Sequence, residues 1–183
     1  QCLVGSEMCI RDRWTRDEAR AAMTELCQYV DVCISNEEDA KDVFGIEAEN
    51  TDITGGELNK EGYKSVAKQL ADKFNFEMVA ITLRESKSAF DNDWSAMLYN
   101  VAKDEYCFSK LYHLHIIDRI GGGDSFGGGL IHALRKGMGP QDTIEFAVAA
   151  SCLKQTIEHD FNLVTESEVL ALMGGNASGR VQR

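Results

Sequence analysis

Basic charge is scarce in this chain. Nineteen Lys and Arg face 30 Asp and Glu, for a net charge of −11. That balance argues against nucleic acid or an anionic membrane as partner. No apolar run is long enough to cross a bilayer. Proline is nearly absent: Pro140 is the single one, and it stands at the start of an apolar helical stretch. The six cysteines lack metal-ligand spacing, and Cys27, Cys33, Cys107 and Cys152 read as reduced thiols of a cytoplasmic protein. No Gly-Lys-Ser/Thr occurs, so a Walker phosphate loop is excluded. What remains is 183 residues, 44% of them hydrophobic, enough for one domain with a buried core.

The informative stretch is Asp118 to Gly129, Asp-Arg-Ile-Gly-Gly-Gly-Asp-Ser-Phe-Gly-Gly-Gly. A strand-like run, Tyr112 to Ile117, leads in, and a helix-like run, Leu130 to Leu134, leads out. Three successive glycines let backbone N–H groups turn the same way and approach a ligand. The next helical turn adds unpaired N–H groups and the positive end of its dipole. Together they form an anion site suited to phosphate. Asp124 follows directly. A carboxylate beside an anion hole is electrostatically costly, which points to a base that takes a proton from an attacking hydroxyl. A glycine turn capped by Asp, with Gly127 to Gly129 allowing close packing, is the plainer alternative. The dinucleotide fingerprint fails, because Phe126 stands where its third glycine belongs.

Along the chain, Gln1 to Arg13 fits no helical or strand period and is set aside as a non-native leader. Thr15 to Tyr29 predicts a helix with Ala19, Ala22, Met23, Leu26 and Cys27 on one apolar face. Val30 to Ser35 predicts a strand and Asn36 to Phe44 a helix stopped by Gly45. After a polar loop over 46–59, Glu61 to Phe74 predicts an amphipathic helix, and Met78 to Leu83 a buried strand. Ser88 to Leu98 and Tyr106 to Ile117 predict antiparallel strands, with turns at Asp91-Asn92-Asp93 and Lys103-Asp104. His113 and His115 share a strand face without further metal ligands, which favours a structural role. Asp124 to Lys136 and Gln141 to Ile157 predict helices, the second nearly all apolar. Thr165 and Glu168 form a capping box before a last helix, and 174–183 reads as a flexible tail.

The pattern Asp118-x-x-Gly121-Gly122-Gly123-Asp124-x-Phe126-x-x-Gly129 resembles the signature of the ribokinase-like (PfkB) sugar kinases. Ile81 to Ser86 and Gly-Gly-Gly-Asp-Ser-Phe look like the 2-keto-3-deoxygluconate kinase branch. The likeness covers about Trp14 to Leu172, the C-terminal half of such a kinase. It implies a ribokinase-like three-layer α/β fold with a mainly parallel sheet and the N-terminal half missing, so that residues 14–173 form the ATP-binding and catalytic half.

The resemblance implies Asp124 as general base and Gly121, Gly122 and Gly123 as anion hole. It places Thr82, Leu83, Arg84, Ser86, Val148 and Cys152 beside the nucleotide, with Arg84 and Lys87 where the family has glycines. Asn36 and Asp39 would act on magnesium and phosphates through water, with Glu38 sharing the task. ATP and Mg2+ are implied as cofactors, and Asp118 with the Ile120 carbonyl as a monovalent-cation site. The acceptor would be a sugar acid, most naturally the 6-hydroxyl of 2-keto-3-deoxygluconate. A fructokinase or ribokinase, or a non-catalytic fragment that at most binds nucleotide, are the alternatives, since the family's sugar contacts come largely from the other half. A truncated sheet would leave an unpaired edge prone to homo-oligomer formation.

Overall fold

The computed structural model describes residues 14–46 and 60–175. The leader before Trp14, the loop over 47–59 and the tail beyond Gly175 lie outside the described residues. Two compact units divide the chain. One comprises residues up to Ile81 together with Tyr99–Glu105; the other comprises Thr82–Leu98 and everything from Tyr106 onward.

In the first unit, α1 (Arg16–Leu26) starts at a Thr15–Glu18 capping box, as its sequence predicts. Its apolar face differs from expectation. Only Cys27, in a 3-10 turn after the helix, is buried, and Leu26 is 58% exposed. The main described neighbour of α1 is α2 (Glu37–Phe44), which covers too little of the stripe to bury it. Strand β1 (Val32–Asn36) runs into α2, which ends at Gly45 in the left-handed conformation, φ 67°. Helix α3 (Lys60–Phe74) buries Val66, Ala67, Leu70, Ala71 and Phe74, an i, i+1, i+4, i+5, i+8 stripe. Phe74 packs against Phe44 and Phe76, with ring centroids 4.8 and 5.4 Å apart.

Five strands make one mixed sheet in the order β1-β2-β3-β4, with β5 also on β3. The N–H groups of Glu77 and Met78 bond the Asp31 carbonyl at 2.7 and 3.2 Å. The starts of β1 and β2 (Met78–Ser86) are thus tied together, so the two strands run the same way, and helices supply the crossover this requires. The rest is antiparallel. Loops of four residues join β2 to β3 (Asp91–Asn100) and β3 to β4 (Glu105–Phe108), too short for a crossover. Strand β5 (Tyr112–His115) pairs antiparallel with β3 from Asp91↔His115 to Trp94↔Tyr112.

The turn predicted at Asp91 to Asp93 lies earlier, at Lys87 to Phe90. The Ser88 hydroxyl accepts from the N–H groups of Phe90 and Asp91 at 3.1 and 2.9 Å and donates to Asp91 Oδ2 at 2.8 Å. That local network closes the hairpin early and leaves Asp91 to Asp93 free to join the ladder. There, His113 and His115 pair across the strands with Asp93 and Asp91 at 2.5 and 2.8 Å. No cluster of three metal-ligating side chains occurs among the described residues.

The second unit holds α4 (Gly122–Arg135), α5 (Pro140–Lys154) and α6 (Glu166–Met173). Nearly all of α5 is buried, from Thr143 to Cys152, which explains its lack of a polar face. Most of its polar groups find partners, though Glu145 Oε2 has none among the described residues. Glu145 Oε1 accepts from Lys110 N–H and Gln141 Nε2 at 3.1 and 3.2 Å, and Lys154 Nζ donates to the Ile157 carbonyl at 3.1 Å. Gly129 brings α4 against it: a Cβ there would lie 3.1 Å from Ala147 Cα and Ala150 Cβ. The close packing foreseen at the second glycine triplet therefore falls on one residue and joins helix to helix. Among the described residues, no helix is long and apolar enough to cross a membrane.

Candidate active site

After β5 the chain leaves the sheet. Ile116 N–H still bonds the Phe90 carbonyl at 2.6 Å, but Ile117 and Asp118 N–H turn to the Gln155 carbonyl at the end of α5, at 2.9 and 3.3 Å. Asp118 then closes the loop. Its Oδ1 accepts from Ile120 N–H at 3.0 Å and its Oδ2 from His159 N–H at 2.9 Å. Those bonds draw the loop at Asp160 against Gly121, whose φ is 77°. A Cβ on Gly121 would sit 2.2 Å from the Asp160 carbonyl oxygen, so this position admits only glycine.

The N–H bonds from Ile120 and His159 hold the Asp118 carboxyl below its usual pKa, with a smaller contribution from the Lys154 ammonium. Both oxygens are engaged by backbone donors. The structure thus makes Asp118 a tether, and no step below passes through a monovalent ion. The depressed value also sets a sign. The tether's stability is present above about pH 4, the unfolded range, and is lost as pH falls through the lower folded value. The melting-temperature gap between the native chain and Asp118→Asn should be widest near neutrality and close below about pH 4. A gap unchanged down to pH 3 would count against the tether.

Helix α4 begins at Gly122, two residues earlier than predicted, with Gly121 as its N-cap and no side-chain cap. The triple glycine and the helix N-terminus are therefore one feature. Ser125 N–H bonds the Gly121 carbonyl at 2.9 Å, and the buried Ser151 hydroxyl donates to the Gly122 carbonyl at 2.9 Å. These bonds fix the carbonyls inward and leave the amides on the other side. One expected donor is lost: Gly122 N–H bonds the Arg119 carbonyl at 3.2 Å. The N–H groups of Gly121, Gly123 and Asp124 have no partner among the described residues. A Cβ at Gly123 would meet nothing within 4 Å.

Asp124 occupies the third helical position. There an acid can fold back onto the cap N–H, but no such bond forms. The carboxylate is exposed, with no hydrogen-bond partner among the described residues. It lines a groove of about 390 Å³ bounded also by Gly128, His132, Phe146, Phe161 and Glu166. His132 stacks on Phe146 at 5.3 Å and lies 3.5 Å from Glu166, whose carboxyl is held low by Lys136 and then His132.

The other expected residues divide. Arg84 and Ser86 are exposed at the end of β2, and Thr82 is half-buried. Leu83 is 2% exposed and presents only backbone. Val148 and Cys152 are buried, and burial pushes the Cys152 thiol up. They lie two residues, about 200°, from Phe146 and Ala150, which face the groove. Both sit in the core, because α5 is packed all round, and neither presents an exposed surface beside the groove. Asn36 and Asp39, in the first unit, cap α2 reciprocally, with Asn36 Oδ1 accepting from Asp39 N–H at 2.8 Å and Asp39 Oδ2 from Asn36 N–H at 3.1 Å. The Glu38 side chain lies outside the described residues.

Two residues escaped the sequence reading. Arg119 donates through Nη2 to the Ala89 carbonyl. With the Asn92 amide turned so that its oxygen faces the guanidinium, Nη1 donates to it at 3.1 Å. The Asn92 nitrogen then donates to Ser86 Oγ at 3.2 Å and the Asp91 carbonyl at 3.0 Å. Asn92 is 1% exposed, so its amide requires these partners, and the sequence carried no signal of that burial.

The pfkB family carbohydrate kinase model matches residues 4–158, beginning inside the segment set aside as a leader. A 2-dehydro-3-deoxygluconokinase from Thermotoga maritima superposes with a TM-score of 0.81 at 44% identity, over 88% of this chain and 46% of that one. A PfkB family carbohydrate kinase from Listeria grayi gives 0.75 at 28% identity, over 90% and 47%. The 2-dehydro-3-deoxygalactonokinase of Haloferax volcanii is 25% identical over 91% of this chain and 45% of its own length. The chain thus spans about half the length of these relatives, and it belongs to the PfkB family of carbohydrate kinases.

Proposed function

We propose that this chain is the ATP-binding and catalytic half of a kinase that phosphorylates the 6-hydroxyl of 2-keto-3-deoxygluconate. One observation carries the reading. The uncommitted carboxylate of Asp124 stands beside partnerless amides of Gly121, Gly123 and Asp124 itself. Asp124 accepts the proton of the sugar hydroxyl as that oxygen attacks the γ-phosphorus. The O–P bond forms, the bond to the β-phosphate oxygen breaks, and ADP departs. The amides offset the charge on the transferring phosphoryl oxygens. Arg84 pairs with the nucleotide phosphates as a fork donor. Magnesium, where bound, would offset phosphate charge. The 44% identity to a 2-dehydro-3-deoxygluconokinase supports this acceptor over fructose or ribose.

The purified chain should bind Mg-ATP by calorimetry. By itself it should release ADP slowly, because the family's sugar contacts lie largely in the other half. Joined to the N-terminal half of a relative, it should phosphorylate 2-keto-3-deoxygluconate in preference to fructose and ribose. No ATP binding overturns the nucleotide assignment, and a preference for fructose or ribose overturns the acceptor.

A further inference from the structure

The Arg119 side chain bonds two carbonyl-bearing groups of the β2–β3 hairpin and none of the phosphate nest it precedes. Its guanidinium reaches the Ala89 carbonyl and the Asn92 side chain, and Asn92 reaches Ser86 Oγ. The Arg119 carbonyl meanwhile receives Gly122 N–H at 3.2 Å. One residue thus touches the nest through its main chain and the hairpin through its side chain. The intermediary, Asn92, is 1% exposed and cannot swing away without leaving polar atoms unpaired. The guanidinium is planar and forked, so two bonds fix its direction where one would not.

The geometry points to Arg119 as a positioning residue that sets the distance between the hairpin carrying Arg84 and Ser86 and the amides of Gly121, Gly123 and Asp124. This rests on the nucleotide reading above. A ligand that touches both places gains affinity only if their spacing is held, since the second contact is then made at high effective concentration. A ligand that touches the nest alone gains nothing from the brace. Arg119 itself touches no phosphate: it acts through Asn92 and Ala89.

Calorimetry on the chain as it stands separates these cases, with Mg-ATP and inorganic phosphate as probes, the second too small to touch both places. Arg119→Ala should raise the Kd for ATP about tenfold and leave that for inorganic phosphate within about twofold. Arg119→Lys, which keeps the charge but only one bond at a time, should fall between. Equal losses for both probes would mean that Arg119 binds phosphate directly or that the nest collapses, and would overturn the inference. Unchanged ATP affinity in both variants would overturn it too. A native chain that holds ATP no more tightly than inorganic phosphate removes the hairpin from the site and with it the brace, while the nest stands. A native chain that binds neither probe sinks the nucleotide reading first.

Discussion

Asp124→Asn, in the active kinase, should lower turnover on the order of 10²–10⁴-fold and leave ATP affinity nearly unchanged. The two effects separate because the amide keeps the shape of the carboxylate but cannot accept a proton from a hydroxyl. In the proposed site ATP is held by backbone amides and by Arg84, none of which the substitution removes. Affinity for ATP could even rise slightly, since a negative charge beside the nest disappears. A structural role predicts the opposite. If Asp124 served the helix dipole, its loss would cost only about 0.3–1 kcal/mol of stability and spare the chemistry. A capping-box role is excluded by the geometry, since the carboxylate makes no return bond to the cap. Single-turnover kinetics with calorimetry decide, and near-native turnover in Asp124→Asn would remove the base assignment.

The sequence made the helices and the glycine bend legible because both are local. Thr15, Asn36 and Thr165 each cap where their spacing to an acid three residues later requires. The all-apolar run of α5 announced burial on every side. That same burial covers Val148 and Cys152, while what packs on them comes from elsewhere in the chain. The hairpin turn was misplaced because Asp91-Asn92-Asp93 has turn composition. Ser88 supplied a tighter network one step earlier, and Asn92 found its partners across the loop in Ser86 and Arg119. Asp118 shows the same limit. Its place in the signature does not reveal its partners, which are N–H groups of Ile120 and of His159, 41 residues onward. Contacts of that range are set by tertiary packing and leave no periodicity to read.

The glycines of the bend should respond to alanine with opposite signs. Gly121 has a φ of 77°, and an added Cβ would lie 2.2 Å from the Asp160 carbonyl oxygen. The left-handed conformation alone costs an alanine about 1–2 kcal/mol. The overlap is with backbone, which cannot rotate away, so the loop at Asp160 must move and the Asp118–His159 bond with it. Overpacking of this kind adds about 1–3 kcal/mol. Gly121→Ala should therefore lose about 2–5 kcal/mol, a fall of roughly 5–15 °C in melting temperature for a chain of this size. Gly123 sits inside α4, where a Cβ meets nothing within 4 Å. Gly123→Ala reduces the freedom of the unfolded chain and should gain about 0.4–1 kcal/mol. The contrast tests the bend itself, because both substitutions add the same methyl group two residues apart. If Gly121→Ala melts within 1 °C of the native chain, the contact with Asp160 does not exist in solution. The amides it orients would then have no fixed direction toward a phosphate.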